Sequence, residues 1–136
     1  MSKYIKCEIS NMCMVYNGDY ILVIDRKKKD WPGISFPGGH LEDNESLTQS
    51  VIREVKEETG LDIFDPILCD IKEWHLEEGV LYLGLLYKTN KFKGEIISSE
   101  EGKVFWIKKE ELSKYKLSQD FEELFHLIDD KQITLK

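Results

Sequence analysis

Three glutamates in one short stretch, Glu54, Glu57 and Glu58, stand at positions i, i+3 and i+4. At about 100° per residue this spacing sets all three carboxylates on one side of a helix. Carboxylates that close repel one another. A hard divalent cation with oxygen ligands offsets the repulsion directly, so the pattern points to metal-assisted chemistry. The plainer alternative is a solvated acidic face balanced by Arg53 and Lys56, which is what charge runs on helices usually are. Position weighs against it: the three acids lie near the C-terminal end of the helix, where the macrodipole disfavours negative charge, and a function that maintains them there accounts for the placement.

The helix that carries them has clear ends. Ser46 can cap it, Leu47, Val51, Ile52 and Val55 recur at helical spacing, and Gly60 closes it. Before it, Trp31-Pro32-Gly33-Ile34-Ser35-Phe36-Pro37-Gly38-Gly39 holds two prolines and three glycines in nine residues, which rules out helix and suits a loop with a short strand around Ser35. Strands are expected over Tyr4–Tyr16 and Tyr20–Ile24, joined at the Asn17-Gly18-Asp19 turn. Further strands are expected over Ile63–Ile71, Val80–Lys88 and Lys103–Ile107, the apolar run from Val80 being a central one. Lys108–Leu112 reads as a turn or short helix. A last helix, Asp120–Ile128, puts Phe121, Leu124, Phe125 and Ile128 on one face. The fold class is therefore α/β (α+β), a mixed sheet covered by helices on its faces.

The 136 residues are 41% hydrophobic and carry a net charge of −7. That length suits a single domain over 1–136, and the acidic balance argues against a nucleic-acid polymer as partner, since binding a phosphate backbone needs a basic surface. Cys7, Cys13 and Cys69 lack zinc-site or disulfide spacing and read as reduced thiols. No apolar stretch approaches the roughly 20 residues that span a bilayer, and no signal-peptide pattern opens the chain, so a cytoplasmic protein without a membrane partner is expected. His40, His75 and His126 show no ligand spacing and receive no role.

The pattern Gly39, Glu45, Arg53-Glu54-Val55, Glu57-Glu58, Gly60-Leu61 resembles the Nudix box: a glycine, five residues, a glutamate, seven residues, then Arg-Glu-apolar-any-Glu-Glu-any-Gly-apolar. Every fixed position of the signature is met, and so long a motif is specific. The resemblance implies the Nudix fold, with its mixed sheet sandwiched between helices, and hydrolysis of a diphosphate linkage with Mg²⁺ as cofactor, Mn²⁺ being an alternative. It implies that Glu54, Glu57 and Glu58 ligate the metal with help from the Gly38 carbonyl, that Arg53 orients a neighbouring glutamate, and that Glu45 holds the loop in shape. Glu101, with Glu100 as competitor, is similar to a later-loop glutamate that acts as ligand or base. Arg26 looks like the family's phosphate-contacting arginine, a surface salt bridge being the alternative. The base that activates water stays open among Glu54, Glu58 and Glu101.

Downstream markers of other subfamilies are missing. The ADP-ribose type carries a proline about sixteen residues past the box, where Leu76 and Glu77 stand; the dinucleoside-polyphosphate type carries a tyrosine about eighteen past it, near Gly79. The remaining resemblance is to the MutT-like group, which implies cleavage of a nucleoside triphosphate, including oxidised ones such as 8-oxo-dGTP, to monophosphate and pyrophosphate. Trp31, Phe36 and Tyr82 could form a slot for the base, with Gln119 or Asp120 reading its edge. The expected partner is thus a nucleotide, met by a monomer or homodimer. Hydrolysis of another nucleoside diphosphate derivative, or a silent nucleotide-binding sensor, are the alternatives.

Overall fold

The computed structural model describes residues 3–27 and 32–129. Nine strands and two α-helices follow in the order β1 (Lys6–Asn17), β2 (Tyr20–Arg26), β3 (Gly33–Ser35), β4 (Gly38–His40), α1 (Leu47–Thr59), β5 (Asp62–Phe64), β6 (Ile67–Glu77), β7 (Val80–Thr89), β8 (Lys91–Lys93), β9 (Gly102–Lys108) and α2 (Phe121–Asp129). A 3-10 turn, Lys109–Lys114, joins the last strand to the segment before α2.

The main sheet runs β3-β2-β1-β7-β6, with β4 also pairing β1 and β9 pairing β2. It is mixed: β1 and β7 are parallel from Lys6↔Val80 to Val15↔Thr89, and the other pairings are antiparallel. Alternation along the strands sorts side chains to two faces. Met14, Ile21, Val23, Leu86 and Ile107 pack with Phe121, Leu124, Phe125 and Ile128 of α2. Cys13, Val15, Leu22, Ile24, Leu85, Tyr87 and Val104 pack with Val51 and Val55 of α1. Strands buried on both faces read as unbroken apolar runs, which is why β2 and β7 showed no alternation in the sequence.

The expected strand Ile63–Ile71 is two strands. Asp65, in the left-handed region at φ 49°, and Pro66 break it, and the first piece, β5, turns away to pair with β8. Leu47, expected on the buried face of the helix, is 42% exposed, because it sits in the first turn beyond the reach of the sheet.

Helix α1 starts and stops where its capping chemistry requires. The Ser46 hydroxyl accepts from the Gln49 amide at 3.0 Å while the Gln49 side chain accepts from the Ser46 amide at 2.9 Å. This reciprocal cap contributes about 0.5–2 kcal/mol. At the other end Gly60 adopts φ 86°, a conformation glycine enters without cost, and its amide donates to the Lys56 carbonyl at 2.9 Å. Val51 and Val55 are wholly buried against the sheet, each contributing roughly 1.5–3 kcal/mol. Among the described residues no helix is long and apolar enough to cross a membrane.

Candidate active site

The apolar stripe Val51–Val55 continues along α1, at i+3, into Glu58. That placement carries Glu58 toward the sheet and leaves its side chain 6% exposed, whereas Glu54 is 14% and Glu57 58% exposed. The three carboxylates share one side of the helix but differ in depth. Two arginines neutralise them.

Arg53 works on the outer side. Its Nε donates to Glu45 Oε2 at 2.7 Å and its Nη2 to Glu45 Oε1 at 2.9 Å, a two-pronged bond that ties the loop before the helix to α1. Its Nη1 reaches Glu54 Oε1 and, at 3.1 Å, Glu57 Oε2, and its Nη2 also donates to the His40 carbonyl at 3.0 Å. The hydrogen bonds from Arg53, aided by one from the Glu42 amide, pull the Glu45 carboxyl down to about 2. Glu45 therefore binds protein on both oxygens, as the structural reading anticipated. Burial pushes the Glu54 carboxyl upward against the pull of Arg53.

Arg26, at the end of β2, works on the inner side. Its Nη1 donates to Glu58 Oε2 at 3.0 Å and to Glu101 Oε2 at 3.2 Å, its Nη2 to Glu58 Oε1 at 3.1 Å, and its Nε to the Ser35 hydroxyl at 2.7 Å. The guanidinium thus faces carboxylates of the protein. Orienting glutamates, expected of Arg53, is shared between two arginines. Gly38 donates its amide to Glu58 Oε1 at 2.8 Å. Burial raises the Glu58 carboxyl to about 7, helped by a hydrogen bond with Glu101 and opposed by Arg26 and the Gly38 amide.

Gly38 and Gly39 let this assembly close. A β-carbon at Gly38 would stand 2.0 Å from the Asn11 carbonyl oxygen across the β1–β4 pairing, and one at Gly39 would stand 1.5 Å from Glu54 Oε2. Asn11, buried in β1, holds both neighbours: its Oδ1 accepts from the Gly39 amide at 3.2 Å and its Nδ2 donates to the Ser50 hydroxyl at 2.9 Å. Asn11, Ser35 and Ser50 were missed from the sequence. A polar Asn inside the apolar strand β1 was the one available signal.

Glu101 is delivered by a tight turn. Ser99 and Gly102 exchange backbone hydrogen bonds, and the Glu101 carbonyl accepts from the Lys27 amide at 3.3 Å. A cavity of about 280 Å³ is lined by Glu54, Glu57, Glu58, Glu100, Glu101 and Ser99. Five carboxylates and a hydroxyl form an all-oxygen donor set that fits a hard divalent cation. Among the described residues no three acidic, His or Cys side chains converge at ligand spacing as they stand. The two arginine clamps account for this, since they draw Glu54 and Glu57 one way and Glu58 and Glu101 another.

A second cavity, about 550 Å³, shares Glu54, Glu58 and Glu101 with the first and extends over Met12, Phe36, Trp74, Tyr82, Gln119 and Asp120. Because Gly38 and Gly39 present no side chains, carboxylates from α1 meet the more apolar cavity on the α2 face across β4. Phe36 is only 1% exposed and stacks on Phe121 at 4.5 Å between centroids, so it belongs to the core floor and offers little free ring surface. Trp31 lies outside the described residues. Trp74, which sequence reading passed over, lines the cavity instead.

Fold and site together define a class. The family model for the NUDIX domain matches residues 9–128, and the chain belongs to the Nudix hydrolase family, whose members act on nucleoside diphosphate derivatives and related anhydrides and generally need divalent metal ions. Within that family it is MutT-like. It is 31% identical over 99 residues to the uncharacterized Nudix hydrolase YvcI of Bacillus subtilis, covering 69% of this chain and 61% of that one. It is 30% identical over 110 residues to the 8-oxo-dGTP diphosphatase of Buchnera aphidicola, covering 81% and 82%. The crystal structure of a MutT protein from Bacillus halodurans superposes with a TM-score of 0.78 at 27% identity, covering 93% of this chain and 85% of that one.

Proposed function

We propose that the chain is a Mg²⁺-dependent pyrophosphohydrolase that converts a nucleoside triphosphate, oxidised forms such as 8-oxo-dGTP included, to the monophosphate and pyrophosphate. The observation that carries the reading is the joining of two cavities through Glu54, Glu58 and Glu101: an acidic one sized for metal and phosphates, and a larger, partly aromatic one sized for a nucleoside. The relative from Buchnera aphidicola, named 8-oxo-dGTP diphosphatase, supports the same substrate class.

In this reading Glu54, Glu57 and Glu58 would hold the cation, together with the Gly38 carbonyl. The bound metal would neutralise phosphate oxygens and acidify a water. Arg53 fixes Glu54 and Glu57 in place, and Glu45 fixes Arg53. Burial raises the proton affinity of Glu58, which lies beside Glu101, and the group that would accept the proton of the attacking water is one of Glu54, Glu58 and Glu101. Arg26 keeps the Glu58 and Glu101 carboxylates paired, and its place beside the acidic cavity suits it to face a substrate phosphate. Asp120 and Gln119 line the larger cavity and would read the edge of the base. The working form is a monomer or homodimer.

The test is product analysis. The protein and Glu57→Ala are incubated with Mg²⁺ and dGTP, 8-oxo-dGTP, the other dNTPs, ADP-ribose and a dinucleoside polyphosphate, and products are separated by chromatography. Monophosphate with pyrophosphate from a triphosphate, lost in the variant, supports the proposal. Turnover of ADP-ribose alone, or of nothing, overturns it.

A further inference from the structure

The ring of Trp74 lies over Gly84 of the neighbouring strand: a β-carbon there would stand 2.5 Å from Trp74 Cζ3. Any side chain at position 84 would lift the indole off the sheet, so β7 leaves a bare patch of backbone for it. Tyr82, the register partner of Trp74, flanks the same wall of the cavity. The indole Nε1 donates to Asp120 Oδ2 at 3.3 Å. Asp120 itself is held in the left-handed region at φ 66° just before α2, its carbonyl accepting from the Leu124 amide at 2.9 Å. One ring therefore links the edge strand β6 to the residue that opens α2, and both ends of the link line the 550 Å³ cavity.

We propose that Trp74 is the specificity-determining residue of this cavity, its N–H setting the Asp120 carboxylate so that a base offering two adjacent N–H donors, as the guanine edge does, is selected. The inference rests on the nucleotide reading above, with Asp120 as reader of the base, and adds to it the residue that positions Asp120.

A carboxylate only accepts hydrogen bonds, and its two oxygens offer about four lone-pair sites, so one bond from Trp74 leaves room for two more from a ligand. The guanine edge presents a ring N–H beside an amino group and matches both oxygens. Adenine and cytosine present an amino group beside a bare ring nitrogen, which would face an oxygen unfavourably. Uracil and thymine present one N–H between two carbonyls. Holding the carboxylate in one orientation converts that difference of pattern into a difference of affinity, because a rotating group would adapt to each base in turn. The exposed part of the indole adds stacking surface that all bases share.

The experiment compares the wild type with Trp74→Phe, Asp120→Asn and the double variant, reading kcat and KM separately for dGTP, dATP, dCTP and dTTP with Mg²⁺. Trp74→Phe keeps a ring and removes the N–H. The expected result is a KM for dGTP raised about tenfold, a larger change than in kcat, with the advantage of dGTP over the other bases reduced by a similar factor. The double variant should lose no more than Asp120→Asn does, since Trp74 acts through Asp120. An unchanged ranking of bases in Trp74→Phe, or losses that simply multiply in the double variant, overturns the inference. Thermal midpoints separate a folding defect from a change in selection. Should the wild type cleave no triphosphate, the function proposed above fails by itself, and this inference is still read from GMP, AMP, CMP and UMP binding. Tighter GMP binding that Trp74→Phe abolishes supports it, and equal binding of the four overturns it.

Discussion

Glu54 lies across the backbone of Gly39, so that a β-carbon at Gly39 would fall 1.5 Å from Glu54 Oε2. The glycine that opens the box and the glutamate fifteen positions later are in contact because β4 pairs with β1 directly beneath α1. One methyl group is enough to displace the carboxylate.

Gly39→Ala should therefore fold, since the methyl meets a side chain rather than backbone, but lower kcat by about a hundredfold through a misplaced ligand. Steady-state kinetics paired with a thermal melt check this. A melt unchanged within a few degrees and the hundredfold loss of rate are expected together.

Asn11→Ala tests the support beneath the same glycine. It removes the acceptor of the Gly39 amide and one of the bonds to the buried Ser50 hydroxyl, which keeps its contact with the His40 carbonyl, and should cost about 1–3 kcal/mol of stability. Denaturant unfolding in the presence of a chelator gives the value without a contribution from bound metal.

Glu45 gives an acid-side prediction. Its carboxyl is held near 2, below the ordinary 4.5, by Arg53 first and the Glu42 amide second. A depressed folded-state pKa contributes stability that is present above 4.5 and lost as pH falls toward 2. Glu45→Gln should flatten the pH dependence of unfolding in that window and leave the dependence above pH 5 as it is.

Glu58 acts in a different window and with the opposite sign. Its carboxyl is raised to about 7 by burial, so the folded metal-free protein holds a proton that the unfolded chain releases near 4.5. That contribution is full below 4.5 and is lost as pH rises to about 7. With chelator present, stability should fall across this range, and Glu58→Gln should remove the slope.

Divalent cation binding should displace that proton. Affinity for Mn²⁺, read by calorimetry in two buffers of different ionisation enthalpy, should weaken below pH 7 with about one proton released per ion bound. Equal affinity at pH 6 and pH 8 would remove Glu58 from the ligand set.

The box could be read without coordinates because its information is local. Ser46 and Gly60 cap α1 through bonds within four residues, and the i, i+3, i+4 spacing of Glu54, Glu57 and Glu58 follows from helix geometry alone. The buried faces of α2 and, Leu47 aside, of α1 followed from apolar spacing for the same reason. Pairings across the chain were not encoded locally. Nothing in the spacing of Arg26, Glu58 and Glu101 says that one guanidinium bridges the other two, 32 and 75 positions away. Nor does the sequence say that Asn11 supports Gly39, that Phe36 is sealed beneath Phe121, or that Trp74 spans from β6 to Asp120. Helix chemistry and composition, which act over a few residues, determined the elements and the acidic face. The depth of each carboxylate, its arginine partner and the walls of the cavity were decided by strand register and by which face of the sheet each helix covers, because only packing brings distant residues within hydrogen-bond reach.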